Sequence, residues 1–513
     1  MDSQAAAFRR GVSVWSLVCA IALVCLARDP AAGQTALEHL KASAKPVFRQ
    51  GHTLLPLTRW GWTMPYDVRV ELCENWGYAL EFGADVTPGV AGALENPESE
   101  ASRLCTLAAS DPKRYPLSVI VYRPLLDSAF VAGLPDATWC HDAKGELFDA
   151  PQWKTWSPLA PNETFERAAA RMAGVLKTIQ AKAPIAIVLN GGEYGLNVFG
   201  HSGPVWQQDP KLVAAKGDKD WYTFVSEQKA RQETIIAEAI RKEVPGRKLY
   251  LWYHFGGMPT WSPWQWSWKH EPMRTVSDML GQSIYYKQFN SGWTGESDLL
   301  TNVLHAYTQA APHGDTLGYH WVCGGWLEGK FSESDRYMGF LKCLYTSGMV
   351  GAVAGYFSYP KPGFAENLGP EIPSWLWQMM HLARAQALFS HLEEFIREGD
   401  LLPGPNKHAR LKDLPAFEFP TGQENVRVLV RKHRKRSEWL IAAWAADGPQ
   451  KEVTVEVPGL GMATVLARPC GSVYRATSQV KMEHEPPEVT LVLVDTDGML
   501  PSAGFAKPAP AAK

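Results

Sequence analysis

The stretch Pro184-Ile-Ala-Ile-Val-Leu-Asn-Gly-Gly-Glu-Tyr-Gly195 places one carboxylate, Glu193, two glycines beyond a short apolar run. Ile185–Leu189 is apolar at every position, the pattern of a parallel strand covered by helices on both faces. Where such strands close a barrel, the groups just past their carboxyl ends line the active site. A carboxyl group in that position is suited to moving a proton to or from a bound substrate. Gly191-Gly192 lets the backbone turn sharply there and lets a ligand approach it closely. The loop is a poor phosphate cradle, because it lacks the G-x-G-x-x-G spacing and the Lys-Ser/Thr of a P-loop, and Glu193 would repel an anion.

The aromatic content narrows the substrate. The chain has 21 tryptophans, five of them between Trp252 and Trp268. Indole stacks on the apolar face of a pyranose ring, and its N–H donates to a hydroxyl. Splitting a glycosidic bond generally takes two carboxyl groups facing each other across the sugar. Glu193 is the candidate general acid/base, and Asn190 at the end of the same strand is placed to bind the sugar beside the scissile bond. The second carboxylate is Glu328, at the end of Tyr319-His-Trp-Val-Cys-Gly-Gly-Trp-Leu-Glu328, with Glu366, Glu371 and Glu296 as alternatives. His254, Tyr285 and His320 lie at or near the ends of further strand-like runs, where they could orient carboxylates or bind hydroxyls. Trp261, Trp264 and Trp326 are the candidate stacking platforms. Asp67 and Glu81 are expected to support packing or hold substrate.

Positioning these groups requires a scaffold, and the chain alternates strand-like and helix-like segments eight times from about residue 55. The strands read at Thr58–Met64, Tyr78–Gly83, Leu117–Arg123, Ile185–Asn190, Lys248–His254, Gln282–Lys287, Thr316–Val322 and Gly351–Phe357. Helical periodicity marks Thr164–Ala181, Trp221–Lys242, Asp298–Ala311, Ser334–Ser347 and Ser374–Arg397. Such alternation predicts a parallel sheet, and eight strands close a (β/α)₈ barrel. Two connections are long and carry tryptophan: Pro124–Pro161 with Trp139, Trp153 and Trp156, and Phe255–Glu271 with Trp261, Trp264, Trp266 and Trp268. They are expected to build the sugar subsites. After about residue 400 the helices stop. Alternating strands at Val426–Arg431, Trp439–Trp444, Glu452–Val457, Met462–Ala467, Ser472–Ala476 and Val489–Val494 predict a small C-terminal antiparallel β-sandwich.

At 513 residues, 46% hydrophobic and 20% charged, the chain has room for a barrel and a smaller module. The expected division is a signal peptide at 1–33, a barrel at 34–400, a β-sandwich at 401–500 and a flexible tail at 501–513. The signal rests on Arg9 and Arg10, the apolar run Val12–Ala27 and the small residues Ala31-Ala-Gly33. It implies a secreted or periplasmic protein with no membrane attachment after cleavage. Export permits disulfides, and Cys73 with Cys105 or Cys140 is the pairing to look for. No C-x-x-C or H-E-x-x-H occurs, so neither a metal nor an organic cofactor is expected. A formal charge of −2 argues against nucleic acid as a partner. The one basic run, Arg431-Lys-His-Arg-Lys-Arg436, reads as a hairpin turn.

A barrel with Glu193 after its fourth strand and a trailing β-sandwich resembles the clan A glycoside hydrolases, at the level of architecture and over most of residues 55–495. The resemblance implies an acid/base Glu that follows an Asn at the end of strand four. It also implies a nucleophilic Glu at the end of strand seven, and a Tyr at the end of strand six that touches the nucleophile. Here Asn190 and Glu193 stand two glycines apart, Tyr285 or Tyr286 suits the tyrosine role, and Cys323-Gly-Gly occupies the nucleophile's place, which leaves Glu328 displaced. The expectation is hydrolysis of a poly- or oligosaccharide by two carboxylates with retention. The alternatives are a carbohydrate-binding barrel without catalysis, and a polysaccharide lyase using His320 and a tyrosine.

Overall fold

The computed structural model describes residues 30–61, 64–82, 89–121, 128–148, 156–190, 206–245, 249–252, 269–281, 283–285, 303–323, 334–356, 374–405, 417–423, 426–445, 451–467, 474–480 and 489–494. All eight expected strands are present: β1 Thr58–Gly61, β2 Leu80–Phe82, β3 Leu117–Val121, β4 Ile185–Asn190, β5 Leu249–Trp252, β6 Ser283–Tyr285, β7 Gly318–Cys323 and β8 Met349–Tyr356. They form two four-stranded sheets, ordered β2-β3-β4-β5 and β1-β8-β7-β6, in which every pairing is parallel. A parallel bridge between Leu57 and Tyr78 joins the two sheets just before β1 and β2. The Leu57 amide donates to Gly77 O (2.9 Å) and the Ala79 amide to Leu57 O (2.7 Å). The strand sequence therefore runs β6-β7-β8-β1-β2-β3-β4-β5, with β6 and β5 at its two edges among the described residues.

The sheets also curl toward one another. Tyr319, Trp321 and Val353 of β7 and β8 join the hydrophobic cluster that holds the apolar residues of β2, β3 and β4. The intervening residues Val322, Ala352 and Ala354 join a second cluster with Leu344, Leu376 and Met379 from the helices. This alternation follows from the two-residue repeat of a strand. Tyr319 crosses β8 to reach β1, where its hydroxyl donates to Pro56 O (2.6 Å) and meets Thr58 Oγ1 (3.1 Å). Only glycine fits beneath the ring, since a Cβ on Gly351 would stand 2.5 Å from Tyr319 Cε2.

Helices occupy the crossovers: Tyr66–Asn75, Glu100–Ser110, Asn162–Gln180, Trp221–Glu243, His270–Met273, residues 303–310, Ser334–Ser347 and Ser374–Ser390. Asn162–Gln180 buries Phe165, Ala168, Ala169, Met172, Leu176 and Ile179 along one stripe at helical spacing. Trp221–Glu243 starts at Asp220, whose carboxylate accepts from the Thr223 amide at 2.9 Å and caps the first turn. The single helix expected over Ser374–Arg397 is two, broken at His391 and Leu392 before Glu393–Arg397. At the N-terminus a helix spans Pro30–Ala42, through the expected cleavage point, with Ala36 and Leu40 buried in the second cluster.

The C-terminal strands are β9 Gly399–Leu401, β10 Val426–His433, β11 Glu438–Ala445, β12 Lys451–Val457, β13 Gly461–Ala467, β14 Tyr474–Val480 and β15 Val489–Val494. They form a five-stranded sheet, β14-β15-β11-β10-β9, and a two-stranded sheet, β12-β13. The expected all-antiparallel module needs one correction, because β11 and β15 run parallel. β10 and β11 are sandwiched between layers. Val426, Val428, Val430, Trp439, Ile441 and Ala443 pack with β12 and β13, while Leu429, Leu440, Ala442 and Trp444 pack with the barrel's helices. The basic run forms the end of β10 and the turn after it. There Arg434 pairs with Asp400 at 2.8 Å, and Arg436 with Glu394 and Glu438 at 2.9 and 2.8 Å.

Candidate functional site

The described part of the candidate site is centred on the carboxyl end of β4. Asn190 closes the strand, in register with Val121 of β3 on one side and Trp252 of β5 on the other. Its side chain is fully buried, and Nδ2 donates to Glu233 Oε2 at 3.2 Å. The other oxygen of Glu233 accepts from Lys229 Nζ at 2.5 Å. Both partners lie on the helix Trp221–Glu243, one turn apart and as deeply buried as Asn190. Burial pulls the Lys229 ammonium below the usual lysine range, and the Glu233 carboxylate works against that shift.

From Asn190 the chain enters Gly191-Gly192-Glu193, which lies outside the described residues, as do Glu328, His254, Trp261, Trp264 and Trp326. The alternative carboxylates Glu296, Glu366 and Glu371 lie outside them too. Tyr285 closes β6 in register with Cys323, the last residue of β7, and its side chain is outside the description. The ends of β4 and β5 are neighbours in one sheet, and those of β6, β7 and β8 in the other. His320 sits within β7, 2% exposed, and burial lowers its proton affinity to a pKa of about 4. It is a neutral imidazole buried in the parallel sheet.

Several charged groups that the sequence left without partners find them in the fold. Glu81 in β2 forms an ion pair with Arg59 in β1, both buried. One isolated charge of each sign in two short apolar strands was the available signal for this pair. Asp67 is exposed in the first turn of Tyr66–Asn75, where a negative charge suits the helix dipole. Three basic residues between β5 and β6 are also engaged. His270 and Arg274 both meet Asp315, at 3.0 and 2.5 Å, and Lys269 lies over the Tyr222 ring.

Trp139 and Trp156 of the first long connection are not open stacking platforms. Trp139 and Trp156 are only 5% and 6% exposed, their ring centroids 4.9 Å apart, and Trp156 packs on Phe165. Trp206 Nε1 donates to Trp156 O at 3.1 Å, and Asp209 accepts from the His141 amide at 3.0 Å. Arg231 and Gln232 bind the carbonyls of Pro158 and Ala160 from the helix side. Trp139 and Trp156 are therefore part of the core, contrary to the expectation that they build subsites. Trp153, Trp266 and Trp268 lie outside the described residues. The expected disulfides are absent where they can be seen: Cys73, Cys105 and Cys140 are buried free thiols, and burial pushes Cys73 up to about 12.

Among the described residues, no group of three His, Cys, Asp or Glu is arranged to hold a metal ion, and no helix is long and apolar enough to cross a membrane. No protein-family model matches the chain, and no curated protein matches it. Among solved structures it is similar to a variant of a GH36 alpha-galactosidase from Geobacillus stearothermophilus in complex with raffinose. That match has 12% identity over 90% of this chain and 58% of the other, with a TM-score of 0.42. It is similar to an alpha-amylase from Geobacillus thermoleovorans in complex with acarbose, at 10% identity over 78% and 80%, with a TM-score of 0.37. It is also similar to a GH5_18 protein from Streptomyces cattleya in complex with GlcNAc, at 14% identity over 66% and 82%, with a TM-score of 0.37. The chain spans 58% of the length of the alpha-galactosidases it matches. These structures are glycoside hydrolases of several families, and no single family is picked out. With TM-scores under 0.5 the likenesses carry no weight in assigning chemistry, which rests on the chain's own residues.

Proposed function

We propose that this chain is an exported glycoside hydrolase, a closed (β/α)₈ barrel with a C-terminal β-sandwich that cleaves a poly- or oligosaccharide. Glu193 is the general acid/base. Glu328 is the nucleophile or base, with Glu366, Glu371 and Glu296 as the other candidates for that role. The observation that carries this reading is the end of β4. Asn190 is held by both neighbouring strands and by Glu233, three residues ahead of a carboxylate, in a strand sequence of barrel order. One carboxyl group protonates the leaving oxygen while the other attacks the anomeric carbon or activates water, and the mechanism needs no metal or organic cofactor.

The test is reducing-sugar release from a broad panel of polysaccharides and oligosaccharides, with wild type and Glu193→Gln side by side. Wild-type turnover should fall by about 10²-fold or more in the variant, the scale of a lost general acid/base. Turnover indifferent to Glu193 would overturn the assignment. A second reading, carbohydrate binding without catalysis, is favoured by β7, which ends at Cys323 with the next carboxylate five positions on at Glu328. Glycan binding that survives Glu193→Gln, with no turnover by wild type, would select it.

A further inference from the structure

We infer that Lys229 and Glu233 are positioning residues, which set the level of the carboxyl end of β4 by holding the Asn190 amide from the helix. This rests on the reading of Glu193 as the acid/base, and it adds a device that acts through the strand end. The geometry is a chain of two contacts, Lys229 Nζ to Glu233 Oε1 at 2.5 Å and Asn190 Nδ2 to Glu233 Oε2 at 3.2 Å. All three side chains are removed from water. An ion pair is an expensive way to fill such a space, since an apolar pair of similar volume commonly folds as well or better. What the ion pair adds is direction. The ammonium fixes the carboxylate, and the carboxylate selects one height along the helix at which the amide of the last strand residue can bond. The helix is itself braced, through Arg231 and Gln232, by the carbonyls of Pro158 and Ala160. The strand end is thus referenced to a rigid frame at the point where the chain departs toward Glu193, and small displacements of a catalytic group have large effects on rate.

The experiment compares Lys229→Met/Glu233→Leu, which removes the link, with Lys229→Met/Glu233→Gln, which removes both charges but keeps an acceptor for Asn190. On the best substrate from the glycan panel, the apolar pair should lower kcat about tenfold with KM within twofold and no fall in melting temperature. The Gln variant should recover kcat to within about threefold of wild type. Wild-type kcat in a folded apolar variant would mean that the pair is structural only, and equal losses in both variants would remove Asn190 from the argument. Amide exchange of peptides covering 185–200 is read in parallel and needs no substrate. Exchange there should be faster in the apolar variant and restored in the Gln variant, and unchanged exchange overturns the proposal whatever the chemistry proves to be. Should the apolar pair fail to fold, Asn190→Ala cuts the same link from the strand side and must show the same faster exchange. Absence of turnover in wild type, with the exchange pattern as described, would count against the hydrolase reading and not against the positioning role.

Discussion

Single residues do the work of joining parts in this molecule, and Arg431 is the clearest case. It lies on β10, fully buried, and meets no carboxylate. Its guanidinium donates instead to four carbonyls: Phe395 O at 2.8 Å, Thr346 O at 3.0 Å, Ile396 O at 3.1 Å and Gly399 O at 2.8 Å. Those oxygens belong to the ends of two barrel helices and to β9, so one side chain caps both helices and ties them to the C-terminal sheet. Burial lowers its pKa to about 10, still charged at any working pH. Replacing it with Met strands buried acceptors at about 1–3 kcal/mol each where they do not relax, so Arg431→Met should destabilise by about 3 kcal/mol or more in denaturant unfolding. Arg431→Lys should recover little, because an ammonium has three donors and cannot reproduce the planar fork. An unfolding midpoint close to wild type in Arg431→Met would show that the carbonyls find other donors. The sequence placed Arg431 in a hairpin's basic run and gave no hint that it and His433 are turned inward. Asn190 was likewise legible as a strand end, while its partner Glu233, 43 positions away, was not. Tertiary contacts of that kind leave no local spacing to read.

Elements were more legible than residues, for a physical reason. A strand buried on both faces must be apolar throughout, so the eight barrel strands stand out as short runs. β4 was read to its observed limits, Ile185–Asn190. β9 escaped because three residues, Gly399–Leu401, carry no pattern, and the parallel β11–β15 pair escaped because alternation says nothing of strand direction. Trp139 and Trp156 were misread because a tryptophan's abundance does not reveal which way it points. Where elements meet, glycine decides the spacing. On the helix Ser334–Ser347 a Cβ at Gly339 would collide with Trp444 Cδ1 on β11, whereas around Gly174, on the exposed side of Asn162–Gln180, there is open space. Helix propensity favours Ala over Gly by about 1 kcal/mol at both sites. At Gly339 the overpacking cost of about 1–3 kcal/mol outweighs it. Gly174→Ala should therefore stabilise by about 1 kcal/mol, and Gly339→Ala should destabilise. Melting temperatures that move in the same direction for the two variants would mean that propensity alone governs both.

At the scale of the whole molecule, the parallel sheets with their helices and the C-terminal sheet share one hydrophobic cluster, so their stabilities are coupled and a group buried in either bears on both. The strand alternation forecast the eight parallel strands and the strand-rich C-terminal stretch. It did not forecast that β10 and β11 would be covered on two faces, since an alternating run looks the same whether its second face meets water or helices. That coverage extends the interior in which neutral histidines are held. His381 packs against Trp377, and its pKa is lowered to about 3 by burial and then by the charge of Arg384. His320 in β7 is lowered to about 4 by burial. Both values lie below the ordinary 6.5. Each imidazole is therefore harder to protonate folded than unfolded, and its contribution is intact above pH 6.5 and lost as pH falls from there toward 4 and 3. At pH 5 both stay neutral in the fold but charge freely in the unfolded chain, which costs about 2 kcal/mol for each. Asp315 and Asp220, held below the usual carboxylate range, lose their contributions at still lower pH and in the same direction. Unfolding midpoints measured between pH 7.5 and pH 5 should therefore fall steeply below pH 6.5. His381→Leu, which cannot charge, should flatten that limb by about one proton's worth of slope. A midpoint at pH 5 equal to that at pH 7.5 would mean that water reaches both rings in the native protein, and the shared cluster around His381 could not then be the closed core described for it.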